Sequence, residues 1–166
     1  MIIEIPGIPI PKARSRTYVK DNIAHHYNSQ KEICKNIKNF LFSYVSKMFN
    51  SESKKEVLDM TDIAYAEAFD VKLTFFMPIP ASFSKKKKEN CIDGKQHHTT
   101  KPDLDNLVKM YLDCSNSILF SDDKKIVSLS AKKLYSSVPR TIFEIYPIKC
   151  KADLHNIGDP ALWEKV

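Results

Sequence analysis

The chain has 166 residues, of which 43% are hydrophobic, and this size and composition fit one domain with one hydrophobic core. The formal charge of +6 favours a polyanionic partner over an acidic protein, although charge alone is equally consistent with an ordinary basic protein. With only three glycines the chain offers no glycine-rich loop for a nucleotide cofactor, and no hydrophobic run approaches the length of a membrane span.

The cysteines are widely spaced and form no C-x-x-C pair; they are Cys34, Cys91, Cys114 and Cys150. No signal peptide precedes the strand-like opening MIIEIP, so we expect reduced thiols in a cytosolic protein that no membrane holds. Cys91 together with His97 and His98 could suggest zinc. A second, properly spaced pair of ligands is missing, and the sequence therefore argues against a structural zinc site.

The N-terminal quarter predicts a strand followed by a hairpin. Residues 1–5 have the pattern of a strand, and residues 7–16, GIPIPKARSR, form a basic segment stiffened by proline. Residues 18–27, YVKDNIAHHY, predict a hairpin whose turn contains Lys20, Asp21 and Asn22.

A long helix is predicted over residues 29–49. Ser29 is expected to open it, with Glu32 three residues later completing a capping box. Hydrophobic residues recur at helical spacing along this segment, which indicates one long buried stripe. The stripe consists of Ile33, Ile37, Phe40, Leu41, Val45, Met48 and Phe49.

The middle of the chain is less regular. Residues 50–68 are charged and then mildly apolar, and fit a loop with a short helical turn. Residues 71–80 predict a strand closed by two prolines, and residues 81–100 predict a polar, lysine-heavy loop that is too long for a simple connection. The run Lys85 to Lys88 is either a solvated surface or a surface that faces DNA.

A second helix is predicted over 104–116, followed by strands over 125–136 and 140–148 with a turn around Pro139 between them. A last helical turn is expected near Asp159. Together these elements predict an α+β fold in which two principal helices pack on a mixed, mainly antiparallel sheet. The order of the strands does not follow from the sequence.

The segment KPDLDNLVKMYLD contains the most informative residues. Asp103 is placed to cap the second helix, Asp105 lies in its first turn, and Lys109 and Asp113 follow at intervals of four on the face opposite the leucines. Aspartates at a helix start often serve only as caps. Farther on, Asp123 lies in a predicted turn. It is either a third carboxylate for a cation or an ordinary turn residue.

Clustered carboxylates suit a magnesium ion, which prefers oxygen ligands, and a lysine beside them could hold a phosphate or a developing charge. The strings KPDLDNLVK, LFSDDKKIV and KKLY, with an aspartate at 113 between the first two, resemble the signature of RusA-type endodeoxyribonucleases. The segments GIPIPKARSR and MPIPASFSKKKK also resemble that family, so the resemblance covers most of residues 1–148.

The resemblance implies a bacterial or phage-encoded, cytoplasmic enzyme that resolves Holliday junctions. It implies that Asp103, Asp105 and Asp123 bind magnesium, or manganese in its place, and that they are catalytic together with Lys109. Asp122 corresponds to a neighbouring aspartate of secondary importance. The family also implies a homodimer, which suits a two-fold symmetric junction that needs two nicks.

The family's DNA contacts fall on Lys12, Arg14, Arg16 and Lys101. Lys133 occurs in a K-x-Y motif that recurs in similar sequences, and strand alternation places it on a face with Val127, Leu129 and Ala131. It is therefore either directed toward the site or an ordinary lysine of an edge strand.

Three other functions remain open at this point. A non-catalytic DNA-binding module would bind in a salt-sensitive way without needing a metal. A sugar transferase could use D-x-D to hold a metal-bound sugar nucleotide, but the chain is short for it and lacks βαβ alternation. A structural protein would carry the paired aspartates only as surface charge.

Overall fold

A computed structural model describes residues 1–14, 16–20, 23–27, 29–50, 63 and 66–148 of the chain. The elements within these residues, in chain order, are β1 Ile2–Pro6, β2 Arg16–Lys20, β3 Ile23–Tyr27, α1 Lys31–Phe49, β4 Ala68–Pro78, α2 Lys85–Ile92, α3 Leu104–Ser115, a 3-10 turn Asp123–Lys125, β5 Ile126–Ser136 and β6 Arg140–Ile148. No helix in this part of the chain is long and apolar enough to cross a membrane.

Four strands form a mixed sheet in the order β1-β6-β4-β5. β6 is antiparallel to both β1 and β4, whereas β5 runs parallel to β4 and forms one edge. The predicted hairpin is confirmed as a separate pair, β2 with β3, in which Lys20 lies opposite Ile23. The residues of its turn, 21 and 22, lie outside the described part.

The connection between β5 and β6 crosses the end of β4. Ser136 pairs with Pro78, and Arg140 pairs with Phe76 on the other side of the same strand. The guanidinium of Arg140 lies 4.0 Å from the centre of the Phe76 ring, a cation–π contact that closes this end of the sheet. β5 and β6 are therefore separated by β4 although only residues 137–139 join them.

One face of the sheet carries the core. Along β4 every second side chain is buried, because a strand directs alternate residues to the same face. Helices α1 and α3 pack against the core; Leu41 comes from α1, and Leu107 and Met110 come from α3. Cys34 Sγ of α1 lies 3.7 Å from Met110 Sδ of α3, which shows the close contact of the two helices. The predicted α+β fold with two principal helices is confirmed.

The predicted capping box at Ser29 is wrong. Helix α1 begins at Lys31, and its N-cap is Gln30, which makes no side-chain capping bond. The amide of Gln30 instead donates from Nε2 to the Pro11 carbonyl at 2.8 Å, and its Oε1 accepts from the Ala13 N–H at 2.6 Å. The start of the helix is thus tied to the proline-rich segment, a contact that local sequence does not reveal.

The predicted loop over 81–100 contains helix α2. Ser84 caps this helix, since its hydroxyl accepts from the Lys87 N–H at 3.4 Å. Lys85, Lys86 and Lys87 are exposed on it. The lysine run hides the helix from a search for apolar periodicity, because only Cys91 in this segment is buried.

Several sequence predictions fall outside the described residues or at their margins. Residues 51–62, 64 and 65 and the tail from 149 onward are not described, so the loop over most of 50–68 and the helical turn near Asp159 are not tested. The strand expected over 71–80 starts earlier, at Ala68. The cysteines within the described part are free, as expected; they are Cys34, Cys91 and Cys114.

Candidate active site

The first two aspartates lie at the start of α3. Asp103 occupies the N-cap position with extended backbone angles, φ −70° and ψ 142°. Its carboxylate makes no capping bond, contrary to the role expected from sequence, although its carbonyl accepts from the Leu107 N–H at 3.2 Å. Asp105 is exposed in the first turn. Both carboxylates thus remain available to a ligand.

An open groove of about 570 Å³ lies between α3 and β5. Three of the predicted site residues, Asp105, Lys109 and Asp123, line it together with Asp113. Its remaining lining is apolar and consists of Leu104, Val108, Leu112, Leu129 and Ala131. The structure therefore brings carboxylates from two separate stretches of sequence, and the predicted lysine, to one surface.

The turn before β5 presents Asp123 to this groove. Asp122 caps the 3-10 turn: its Oδ1 accepts from the Lys124 N–H at 3.0 Å, and its Oδ2 lies 3.4 Å from Lys124 Nζ. The backbone hydrogen bond, followed by the charge of Lys124, lowers the pKa of Asp122. Asp122 is thus engaged within its own turn, while Asp123 is exposed.

Asp103 lines a different cavity, of about 590 Å³, on the other side of the start of α3. Lys12, Lys101, His98 and Asn106 also line it, and the rest of its lining is Ile8, Pro9, Pro11, Met77, Pro78, Pro80, Thr100 and Pro102. Of the predicted carboxylates, the groove thus contains two, and the third faces the neighbouring cavity.

Within the described residues of one chain, no group of three His, Cys, Asp or Glu side chains could hold a metal ion. Cys91, His97 and His98 all belong to the described part, and these three side chains form no such group. The same finding also means that Asp103, Asp105 and Asp123 do not form a complete metal site within one chain. Their oxygen donors nevertheless match the preference of magnesium.

The predicted DNA contacts have different surroundings. Lys12 Nζ forms an ion pair with Asp113 Oδ2 at 2.9 Å, and the hydrogen bond in this pair raises the pKa of Lys12. Arg14 and Lys101 are exposed. Arg16 begins β2, and its side chain is outside what the structure describes.

Lys133 points toward the loop before α3. Its Nζ donates to the Thr100 carbonyl at 2.9 Å and to the Pro102 carbonyl at 2.7 Å. It also lies on an edge strand, as the second alternative has it, and a role of Lys133 at the site stays a prediction. Near this contact His98 is buried, with its ring 4.6 Å from that of Tyr135, and burial followed by the charge of Lys133 lowers its pKa.

Sequence reasoning considered His98 only as a zinc ligand and did not find the contact with Tyr135. No local pattern indicates it, because the two rings meet only when β5 folds beside the loop after α2. The sequence does predict the face on which Lys133 lies, since alternation along β5 places it with Leu129 and Ala131.

Comparisons with known proteins show the family of the chain. The profile of the family described as endodeoxyribonuclease RusA matches residues 6–146. A protein of Bacillus subtilis (strain 168), described as uncharacterized protein YqaN, is 33% identical over 134 residues, which cover 81% of this chain and 87% of the relative. The family match takes in the aspartates, Lys109 and Lys133. The chain belongs to the RusA family of endodeoxyribonucleases, whose activity is the resolution of Holliday junctions.

Proposed function

We propose that the protein is a magnesium-dependent endonuclease that resolves four-way DNA junctions by paired, symmetric nicks. The observation that supports this most directly is the groove between α3 and β5, in which Asp105, Lys109 and Asp123 share one open surface. Carboxylates that hold a divalent cation, with a lysine beside them, can promote hydrolysis of a phosphodiester. Family membership supports the nuclease activity, and the groove supports its location.

Asp103, Asp105 and Asp123 are the residues that would hold magnesium, with manganese as a substitute. When bound, a divalent cation activates water and stabilises negative charge on the phosphate. Without a cation, carboxylates that are brought close together repel one another, so binding of the ion is favoured electrostatically. The exposed positions of Asp105 and Asp123 leave their oxygens accessible to an ion and to DNA.

The remaining residues act on the DNA itself. Lys109 lies one helical turn after Asp105 on the same rim of the groove and can hold a phosphate oxygen or its developing charge. Arg14 and Lys101 are exposed and supply positive charge to the backbone of the junction, as Arg16 would in the hairpin. Lys12 contributes less, because Asp113 already neutralises it.

A homodimer is part of this proposal. β5 is an edge strand, and two of its apolar side chains are exposed beside the groove, Val127 by 54% and Leu129 by 46%. Exposed apolar residues on the edge strand of a sheet are typical of an interface. A second copy packed on this surface would bring its own carboxylates toward the groove, which accounts for the incomplete site within one chain.

Asp105→Asn tests the function. We expect the variant to bind a synthetic four-way junction with wild-type affinity but to cut it at least 100-fold more slowly, because the amide cannot replace a charged metal ligand. Cleavage is followed on a denaturing gel with magnesium or EDTA, and binding is followed by fluorescence anisotropy in EDTA. Asp93→Asn is the matched control, since this exposed aspartate caps the end of α2 and does not line the groove.

A matched linear duplex shows whether the enzyme requires a junction. Symmetric nicking of the junction alone supports resolution, whereas equal cutting of both substrates would indicate a general nuclease. Wild-type cutting by Asp105→Asn would remove the assignment of the site.

The second candidate function is a non-catalytic DNA-binding module. It is favoured by the finding that the described residues of one chain form no complete metal site. Such a module would bind the junction with the same salt dependence in magnesium and in EDTA and would cut neither substrate.

A further inference from the structure

The loop that carries Asp103 is held by one side chain from another element. Lys133 donates to the carbonyls of Thr100 and Pro102, at 2.9 and 2.7 Å, across more than 30 residues of sequence. Its backbone is fixed in turn, because β5 pairs with β4 and Lys133 lies opposite Phe75, whose side chain is fully buried. The loop is thus attached to the sheet through its edge strand β5.

Asp103 follows the second of these carbonyls directly. On its other side, the carbonyl of Asp103 accepts from the Leu107 N–H at 3.2 Å as the helix begins. Its carboxylate makes no capping bond that would fix it. The main chain at Asp103 is therefore fixed from both sides, and the direction of the carboxylate depends on that backbone.

The ammonium also contributes charge. Among the described residues Lys133 forms no ion pair with a carboxylate, so its charge is not cancelled by a direct partner. A positive charge beside the loop repels a cation, so the charge of Lys133 alone would weaken metal binding, and any gain in affinity from Lys133 comes from its hydrogen bonds to the loop. The groups that orient metal ligands from outside are often as important to a site as the ligands themselves.

We infer that Lys133 is a positioning residue of the nuclease site: through the carbonyls of Thr100 and Pro102 it holds Asp103 where a divalent cation can bind. This inference rests on the proposed function and deepens it. Lys133 acts on the backbone of the loop and is not a group that contacts the reacting phosphate.

Lys133→Met tests the inference, because methionine keeps the length and the apolar stem of the side chain but cannot donate to the carbonyls. We expect manganese affinity, measured by electron paramagnetic resonance on the full chain, to fall by about 10-fold or more. The magnesium concentration for half-maximal junction cleavage should rise by a similar factor. Junction affinity in EDTA should change by less than about twofold.

Lys132→Met is the matched control. Lys132 is the adjacent lysine, is exposed, and lies opposite Thr74 on the other face of the same strand, so its variant should behave as wild type in every measurement. Lys133→Arg should recover part of the metal affinity, since a guanidinium can still donate to the carbonyls. It also serves as the test variant if Lys133→Met does not fold.

The outcomes separate this inference from the proposed function. Wild-type manganese affinity and magnesium dependence in Lys133→Met would overturn the role of Lys133 while leaving the nuclease assignment intact. A wild-type protein that cuts no junction would overturn the nuclease assignment, and the manganese measurement would still decide on Lys133. Equal losses in Lys133→Met and Lys132→Met would show an effect that does not depend on the hydrogen bonds to the loop and would also overturn the inference.

Discussion

At the scale of single residues, His98 gives the structure a pH-dependent element. Its side chain is 9% exposed, and its Nδ1 has no hydrogen-bond partner among the described residues. Burial and the charge of Lys133 both disfavour the protonated ring, so the pKa of His98 lies below 6.5 in the folded protein. The unfolded chain therefore takes up a proton first as the pH falls.

Because the unfolded chain binds the proton more readily, the free energy of unfolding should decrease as the pH falls below about 6.5, down through the folded pKa of His98. Urea unfolding between pH 5 and 8 measures the slope, and His98→Gln should make it shallower over this window because glutamine does not titrate. The two proteins differ only at this residue, so the difference between the two slopes isolates His98. Identical slopes would contradict the prediction.

Sequence predicted single residues well where the argument depended on local spacing. Asp105 and Lys109 lie one turn apart on α3, and their shared rim of the groove follows from helical periodicity. The free carboxylate of Asp103 could not be predicted, because an N-cap aspartate usually accepts from its own helix. The contact of Lys133 with the loop could not be predicted from the sequence either, since it depends on how β5 packs beside residues 100–102.

At the scale of elements, one ion pair ties the N-terminal segment to α3. Lys12 Nζ lies 2.9 Å from Asp113 Oδ2, and their side chains are 26% and 34% exposed. The backbone N–H of Lys12 also donates to the Asn106 carbonyl at 2.8 Å, so the segment is held at two points along the helix.

A double-mutant cycle with Lys12→Met and Asp113→Asn should give a coupling energy of about 0.5–1 kcal/mol in urea unfolding, since both groups are partly screened by water. The pair formed by Lys95 and Asp93 is the control: its side chains are 69% and 51% exposed, and its coupling should be close to zero. Because pairing raises the pKa of Lys12, the contribution should persist at neutral pH and, on the alkaline side, be lost as the pH rises above about 10.5. Equal coupling in the two pairs would contradict this account.

Most elements were predicted from a hydrophobic pattern or a turn, whereas helix α2 and the start of α1 were not. The stripes of α1 and α3 and the pattern of β6 fixed the type of these elements and most of their ends, because burial imposes a period on the sequence, whereas β4 was expected over 71–80 and spans Ala68–Pro78. Helix α2 was missed because its lysines leave almost no apolar face. The start of α1 was misplaced because Gln30 is engaged with the proline-rich segment and not with its own helix.

At the scale of the whole molecule, the strand order determines where the site lies. β5 is parallel to β4 at the edge of the sheet, so the turn with Asp123 and the loop held by Lys133 lie toward opposite ends of one strand. The short connection between β5 and β6 suggests neighbouring strands, and β4 inserts between them only through long-range pairing. Such pairing produces no local sequence pattern, and the order of the strands in the sheet could therefore not be predicted.

The same edge gives the last prediction, which concerns the homodimer. If a second copy covers β5, then Leu129→Glu should shift the protein from dimer to monomer and reduce junction cleavage at least 10-fold, because a carboxylate would be buried without a partner. Sedimentation velocity measures the assembly. Leu134→Glu is the control, since Leu134 projects from the opposite face of the same strand and is also exposed, by 36%.

A Leu129→Glu protein that remains dimeric would place the interface elsewhere, and a wild-type monomer that cuts junctions would remove the dimer from the proposal. Loss of cleavage together with loss of the dimer, at unchanged folding, is the expected result. It would also explain why the described residues of one chain hold only part of a metal site. The carboxylates beside β5 would then depend on the same apolar contact that joins the two copies.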